Sequence, residues 1–325
     1  MTVIKPNANF YSLGGISVHE NRSAEYNEYR RCWMENPSRF ILRDFPMHLD
    51  IESTSRCNLN CTFCDKLPLL KEEEFGDMDI RLYKKIIDEG AEHNLWAVKL
   101  SYRGEPLLHK DIAEMVAYAK KKGILDVYFN TNGMLLDKTM CEKLIDAGLD
   151  RISISVEGTD PRAFERERVG AQFDIILKNT DALLELRKKR GLSHPKVRIQ
   201  TINFPDSDFN EYKEFWSAHS DEVAAVDYKD ESNRKQGIEY DWACPQLWQR
   251  MTIEWNGAIM PCNNDDLHHL VIGNAKENTI YKCWHNQKVE NMRNLHHRGQ
   301  SHKVAACDGC PWRTAQIRKL KKANA

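Results

Sequence analysis

From residue 48 to residue 230, short β-branched runs alternate with longer stretches in which apolar residues recur every three to four positions. The short runs fit strands, and the 3.6-residue recurrence fits amphipathic helices. The pattern predicts strands at 48–54, 96–102, 126–130, 151–156, 196–202 and 223–228, with helices at 79–92, 111–122, 138–147, 174–189 and 211–219 between them. Gly123 and Gly148 follow the second and third helices, where a residue free to turn left-handed ends a helix. Such strand–helix–strand units build a parallel sheet. The expected fold is therefore α/β, a partial (βα)6 TIM-like barrel over residues 46–232, with its functional residues at the C-terminal strand ends.

Composition narrows the class. Of 325 residues, 41% are hydrophobic and 29% charged, which excludes a disordered chain or a filament, and 47 Lys+Arg against 48 Asp+Glu leave a net charge of -1. That balance gives no bulk attraction to nucleic acid or to an anionic membrane. No apolar run approaches the roughly 20 residues of a membrane-spanning helix, and residues 1–10 lack the apolar core of a signal peptide. A cytoplasmic protein with neither nucleic-acid nor membrane partners is expected.

After Ser232 the character changes: Trp242, Trp248, Trp255, Trp284 and Trp312 crowd the last quarter together with five of the ten cysteines. A smaller second domain is expected over 233–325, joined through the polar run 229–240. Residues 1–45, helical-looking around 24–34, are expected to cap one end of the barrel. The basic tail 313–325 reads as a solvated helix face.

Ten cysteines in a reducing compartment point to metal or redox chemistry rather than disulfides. Directly after the first predicted strand stands Cys57-Asn-Leu-Asn-Cys61-Thr-Phe-Cys64, a C-x3-C-x2-C loop. Three thiolates can hold three irons of a [4Fe–4S] cube and leave the fourth iron open. A zinc site or three core cysteines are the alternatives, although zinc usually takes four protein ligands with paired spacings.

The loop, with an aromatic residue directly before its last cysteine, resembles the signature of the radical SAM superfamily, whose open iron binds S-adenosylmethionine (SAM). Further motifs follow in order at predicted strand ends. Gly104-Glu105-Pro106 resembles the family's GEP motif, which implies that Glu105 accepts the SAM ammonium group. Arg103 stands where the family often has another glycine and offers a substrate contact. The resemblance further implies that Phe63 lies against the adenine, that Asn132 of Asn130-Thr131-Asn132-Gly133 belongs to a TNG motif, and that Ser155 of Ser155-Val156-Glu157-Gly158 approaches SAM. Glu157 replaces a usual aspartate there. Arg168 resembles the arginine that pairs with the SAM carboxylate, with Arg166 near enough to be confused with it.

Cys244, Cys262, Cys307 and Cys310 form a second set that can fully ligate a second cluster or a zinc ion. Behind a radical SAM barrel this set resembles the SPASM/twitch extension, in its shorter form with one auxiliary [4Fe–4S] cluster. His268, His269, His296, His297 and His302 are expected on the surface or facing substrate rather than as ligands. Cys283 reads as a packing cysteine, with a hydrogen-atom donor as its functional alternative, and Cys141 has no assigned role.

The resemblance implies that one electron cleaves SAM to methionine and a 5′-deoxyadenosyl radical, which removes a hydrogen atom from substrate. A fully ligated auxiliary cluster would accept the substrate electron, giving an oxidoreductase of dehydrogenase type, with Asp227 or Lys229 as base. Hydrogen return from Cys283 would give an epimerase instead, and peptide modification is the third course. The segment ahead of the barrel is short for a leader-binding module, which favours a small polar substrate such as an amino sugar or aminocyclitol over a peptide. An external electron donor such as a flavodoxin or ferredoxin is expected. An electron-transfer protein without SAM chemistry is the non-enzyme reading, but it has no need of the strand-end motifs.

Overall fold

The chain enters the fold as an edge strand, β1 (Phe10–Gly15), and a helix, α1 (Ala24–Ser38). The alternating core follows: β2 (His48–Ile51), β3 (Asn60–Cys61), α2 (Ile80–Glu92), β4 (Ala97–Lys99), α3 (Ile112–Lys121), β5 (Asp126–Thr131), α4 (Lys138–Asp146) and β6 (Arg151–Ser155). Next come α5 (Pro161–Glu167), β7 (Arg168–Val169), α6 (Phe173–Lys189), β8 (Lys196–Asn203), α7 (Phe209–Ser217) and β9 (Glu222–Asp227). The C-terminal part holds β10 (Arg250–Ile253), β11 (Ala258–Met260), β12 (Gly273–Asn274), α8 (Ile280–Trp284), α9 (Gln287–His297) and α10 (Pro311–Ala323). This computed structural model describes residues 10–20, 22–64, 75–204, 208–228, 236–265 and 268–323.

All six predicted strands and all five predicted helices form. Acidic N-caps start several of the helices: Asp79, Asp137, Asp160 and Asp208 each accept a backbone N–H of the first turn. Gly123 and Gly148 adopt φ of 85° and 81° past α3 and α4, as their positions predict. β2 and β4 end three residues earlier than predicted, because the chain there peels away from the sheet into the loops that carry the chemistry.

The main sheet runs β1-β9-β8-β6-β5-β4-β2-β10-β11-β12 and does not close on itself. Its strands from β9 to β10 pair in parallel, while β1 adds antiparallel to β9 and β11 antiparallel to β10. Residues of β4, β5, β6, β8, β9 and β10 line one common cavity, so the sheet curls around a lumen as a partial barrel. On the outer face Leu49, Val98, Val127, Phe129, Ile152, Ile154 and Ile199 pack against the helices in the main core. The inner face is different, for His48, Asp50, Lys99, Tyr128, Arg151 and Arg198 alternate with those apolar residues along the strands.

Two segments extend this frame. α1 packs Tyr26, Tyr29 and Trp33 against Met47 and Ala97 at the N-terminal ends of β2 and β4. β10 joins the barrel sheet beside β2, with Arg250 opposite His48 and Ile253 opposite Ile51. At the other edge Lys319 of α10 pairs with Asp227 at the end of β9. The C-terminal part thus holds both flanks of the open barrel. Among the described residues, no helix is long and apolar enough to cross a membrane.

Candidate active site

The cysteine loop follows β2 at its C-terminal end and is fixed by pairing, not by packing alone. β3 pairs antiparallel with β7, setting Cys61 opposite Arg168 and Asn60 opposite Val169. Thr62 extends the tie, its N–H donating to the Glu167 carbonyl at 2.9 Å and its hydroxyl to the Glu167 carboxylate at 2.6 Å. A segment more than a hundred residues downstream therefore clamps the middle of the loop.

Cys57, Cys61, Cys64, Phe63, Gly104, Glu105, Asn132, Ser155 and Arg168 all line one cavity of about 280 Å³ at the strand ends. Pro106 does not line it; it opens the short helical turn 106–108 that Glu105 caps. Burial pushes the Cys57 thiol up to about 11 and also raises Cys61, where the Arg168 guanidinium works in the opposite direction. Loss of those protons is therefore tied to binding of a cation, as thiolate ligation requires. Among the described residues three thiols converge on the cavity, and the Glu105 carboxylate that also lines it is taken up by hydrogen bonds, which fits three irons of a cube with one open position. Among the described residues, no three such side chains approach each other as closely as one mononuclear ion demands.

The carboxylate of Glu105 sits buried under the cavity. It accepts from the Thr131 hydroxyl and the Asn132 N–H, both at 2.7 Å, and from the Leu107 N–H at 3.1 Å. Burial raises its pKa above the ordinary value while these hydrogen bonds oppose the shift. The Asn132 side chain then donates to Asn58 Oδ1 at 2.8 Å, linking the loop after β5 to the cysteine loop. At Gly104 an added Cβ would stand 2.4 Å from the carbonyl oxygens of both Thr54 and Arg56, so only glycine permits this approach of two strand-end backbones.

Of the two candidate arginines, Arg168 lines the cavity and Arg166 is exposed beside Glu167. Arg168 donates Nη2 to Glu157 Oε1 at 2.8 Å, and its guanidinium stands 5.3 Å from the Phe63 ring centroid. Glu157, with a longer side chain than aspartate, buries a carboxylate against that arginine. Arg103 also lines the cavity and is held at 2.7 Å by Glu52 and at 2.9 Å by Glu254, the residues following β2 and β10. His268 completes this group at 2.8 Å from Glu254, whose hydrogen bond raises the imidazole above its ordinary pKa.

The second thiol set also converges. Cys244, Cys262, Cys307 and Cys310 line one small apolar site with Trp242, Leu247, Leu270 and Met292. Burial raises Cys244, and the three other thiols raise it further. His296 departs from expectation, being neither on the surface nor facing substrate. Buried 1% exposed, it accepts the Cys244 N–H on Nδ1 at 3.0 Å and sets Nε2 3.3 Å from the Cys307 sulfur. Burial holds its pKa down at about 3, so the ring is neutral and its Nε2–H donates to that sulfur. The sequence signal was a histidine on a helix ahead of a CxxC, too common to single out.

Two candidates fall outside the cavity. Cys283 is buried in the main core, its sulfur against Gly273, because α8 presents this side chain to β12 rather than to the strand ends. Asp227 is engaged by Lys319 and does not line the cavity, and Lys229 lies outside the described residues. Cys141 is a core residue of α4.

Comparison with known proteins agrees with this geometry. The sequence profile of the Radical SAM superfamily matches residues 51–215, and that of the SPASM iron-sulfur cluster-binding domain matches residues 244–311. A probable GTP 3′,8-cyclase of Methanococcus maripaludis is 35% identical over 151 residues, 46% of this chain and 48% of that one, so the match spans about half of that relative. A PqqA peptide cyclase of Xanthomonas oryzae pv. oryzae is 22% identical over 82% of this chain and 81% of its own. The crystal structure of BtrN in complex with AdoMet and 2-DOIA shares the fold, with a TM-score of 0.57 and 21% identity over 83% of this chain and 94% of that one. The clamped three-thiol loop, the strand-end cavity and the four-thiol site are thus those of a member of the radical SAM superfamily, an enzyme with SAM and [4Fe–4S] clusters as cofactors and a SPASM-type C-terminal domain.

Proposed function

We propose that this enzyme oxidises a small polar, sugar-like substrate as a dehydrogenase, with Cys57, Cys61 and Cys64 holding the SAM-binding cluster and Cys244, Cys262, Cys307 and Cys310 the auxiliary one. When bound, the first cluster with SAM supplies a radical able to remove a hydrogen atom from an unactivated carbon. Glu105 receives the SAM ammonium group, Arg168 its carboxylate, and Phe63 its adenine, while Asn132 and Ser155 bound the cavity. Arg103 faces the substrate, with Glu52 and Glu254 as positioning residues that fix its guanidinium. Apolar walls from Trp242 to Met292 keep water from the second thiol set.

The observation that carries this reading is the contrast between the two sites: three thiols beside an open cavity, four thiols in a closed apolar one. A centre with every position taken by protein has no place for substrate and is suited to exchange electrons, so it offers a sink for the substrate electron. The epimerase course draws no such support, since Cys283 lies in the core. Peptide modification is the second reading, supported by the likeness to the PqqA peptide cyclase over most of both chains.

The test is anaerobic turnover of the reconstituted chain with SAM and a one-electron reductant against panels of sugars and peptides. Formation of 5′-deoxyadenosine with a product two hydrogens lighter from a sugar is expected. A peptide product carrying a new cross-link, with no sugar oxidised, would replace dehydrogenation by the second reading.

A further inference from the structure

Below the SAM cavity the barrel lumen contains a second cavity of about 250 Å³, and Asn130 lines both. Its walls are unusual for a lumen because five cations face it: Arg30 from α1 and Lys99, Arg151, Arg198 and Arg250 from the strands. Among the described residues no carboxylate lines it. Three acids sit behind the walls, each engaged by an arginine of the cavity: Asp126 by Arg151 at 2.9 Å, with Arg22 also at 3.9 Å, Glu222 by Arg198 at 2.7 Å, and Asp50 by Arg250 at 3.0 Å. Among the described residues Lys99 and Arg30 form no ion pair: Lys99 only shares the field of the Asp50 already held by Arg250, and Arg30, stacked on Tyr29 and Trp33, that of the Asp126 already held by Arg151. The Nε of Arg250 is buried without a hydrogen-bond partner.

Arg151 and Arg198 are buried and paired, whereas Lys99 and Arg30 are half-buried and face the cavity without an acid of their own, an arrangement that suits an anion arriving from outside. A phosphate monoester carries about −1.5 to −2 charges at neutral pH, matching the two unpaired cations. Guanidinium forks meet its oxygens with directed hydrogen bonds. The size is small for a whole ligand site and suits one end of a substrate whose other end reaches Asn130. A free aminocyclitol, itself a cation, would be repelled here.

We infer that the lumen binds the phosphate group of a phosphorylated small-molecule substrate and thereby presents the rest of that molecule to the SAM cavity. This rests on the reading of a small polar substrate given above and narrows it to phosphate esters.

The test is calorimetric titration of the reconstituted full-length chain, without reductant, using ribose 5-phosphate, inorganic pyrophosphate, glucuronate and an aminocyclitol as probes, repeated on Lys99→Met and Arg30→Met. Saturable binding of the phosphates, weakened about tenfold or more in each variant as loss of one charge-assisted contact implies, is expected. Iron content equal to that of the unchanged protein controls for folding, and Arg30, on a half-exposed helix face, serves if Lys99→Met does not fold. Absence of phosphate binding, equal binding to the variants, or preference for glucuronate or the aminocyclitol would overturn the proposal. Because no turnover is measured, phosphate binding together with a failed oxidation assay would refute dehydrogenation alone, whereas oxidation of a sugar that the lumen variants bind unchanged would refute the phosphate site alone.

Discussion

Arg103 Nη2 lies 2.9 Å from Glu254 Oε1, and this contact joins the loop after β4 to the residue that follows β10. Glu52 grips the same guanidinium at 2.7 Å through both oxygens. All three side chains are nearly excluded from solvent. Arg103→Met would leave the buried Glu52 without its cation and Glu254 with His268 alone, and breaking a buried pair in this way costs about 3–5 kcal/mol. Glu254→Gln should cost less, since Glu52 still neutralises the arginine. Anaerobic denaturant unfolding of both variants checks the order, and an Arg103→Met protein as stable as the parent would show that the network does not fasten the barrel to the C-terminal part.

Gly104→Ala tests the close approach at the GEP turn. The new methyl carbon would meet two backbone carbonyl oxygens at 2.4 Å, and neither belongs to a side chain that can rotate away. Overpacking of this kind typically costs about 1–3 kcal/mol. The larger effect should fall on SAM, because Glu105 and Cys57 lie directly on the two segments forced apart. Equilibrium SAM binding should weaken by more than the fall in unfolding stability alone would produce, and unaltered SAM affinity would show that the turn has slack.

The two thiol sets should separate by iron content and by reaction. Cys57→Ala, Cys61→Ala or Cys64→Ala should abolish SAM cleavage. Replacing Cys244, Cys262, Cys307 or Cys310 should lower iron from about eight to about four per chain, spare part of the SAM cleavage and block product. His296→Leu should act like a weakened member of the second group, since loss of a partner that orients a ligand typically costs about 10–100-fold in metal affinity. Iron analysis alongside 5′-deoxyadenosine formation reads both arms. A His296→Leu protein that keeps full auxiliary iron after dialysis against a chelator would show that its bonds to Cys244 and Cys307 are incidental.

How much of this was legible in the sequence depended on the range of the signal. β-branched runs, helix periodicity and the glycines after α3 and α4 are local, and they placed the barrel strands and helices. Most motif residues were legible as well, because they lie in the loops after their strands, as Cys57 lies after β2 and Asn132 directly after β5. Long-range pairings were not. The four residues of β10 are too short to show a period, yet they extend the sheet beside β2, two hundred positions earlier. Asp227 is a candidate base by its place at the sixth strand end, whereas its partner is Lys319 at the far end of the chain. Cys283 could not be oriented, since a five-residue helix does not show which side faces the core. The lumen cations carried an unused signal: Lys99, Arg151, Arg198 and Arg250 interrupt strands of a parallel sheet, which are usually apolar on both faces.

His48 offers a pH test of that polar lumen. Its ring is fully buried, packs edge-on against Trp33, and lies 3.2 Å from the Tyr128 hydroxyl, with Asp50 and Arg250 nearby. Burial holds its pKa down at about 3, against about 6.5 in the unfolded chain. Above pH 6.5 the ring is neutral in both states and stability is full. As the pH falls below 6.5 the unfolded chain takes up a proton that the native ring refuses, so stability drops by about 1.4 kcal/mol per pH unit until the native pKa is reached. Other buried histidines, His296 among them, add slopes of the same sign. The difference between the parent and His48→Gln, which keeps a polar side chain near Tyr128 but does not titrate, isolates this one. Between pH 6.5 and 5 the parent should lose about 2 kcal/mol more than the variant. Parallel unfolding curves across that range would mean that His48 becomes protonated in the native state without penalty and that the lumen is better hydrated than its burial implies.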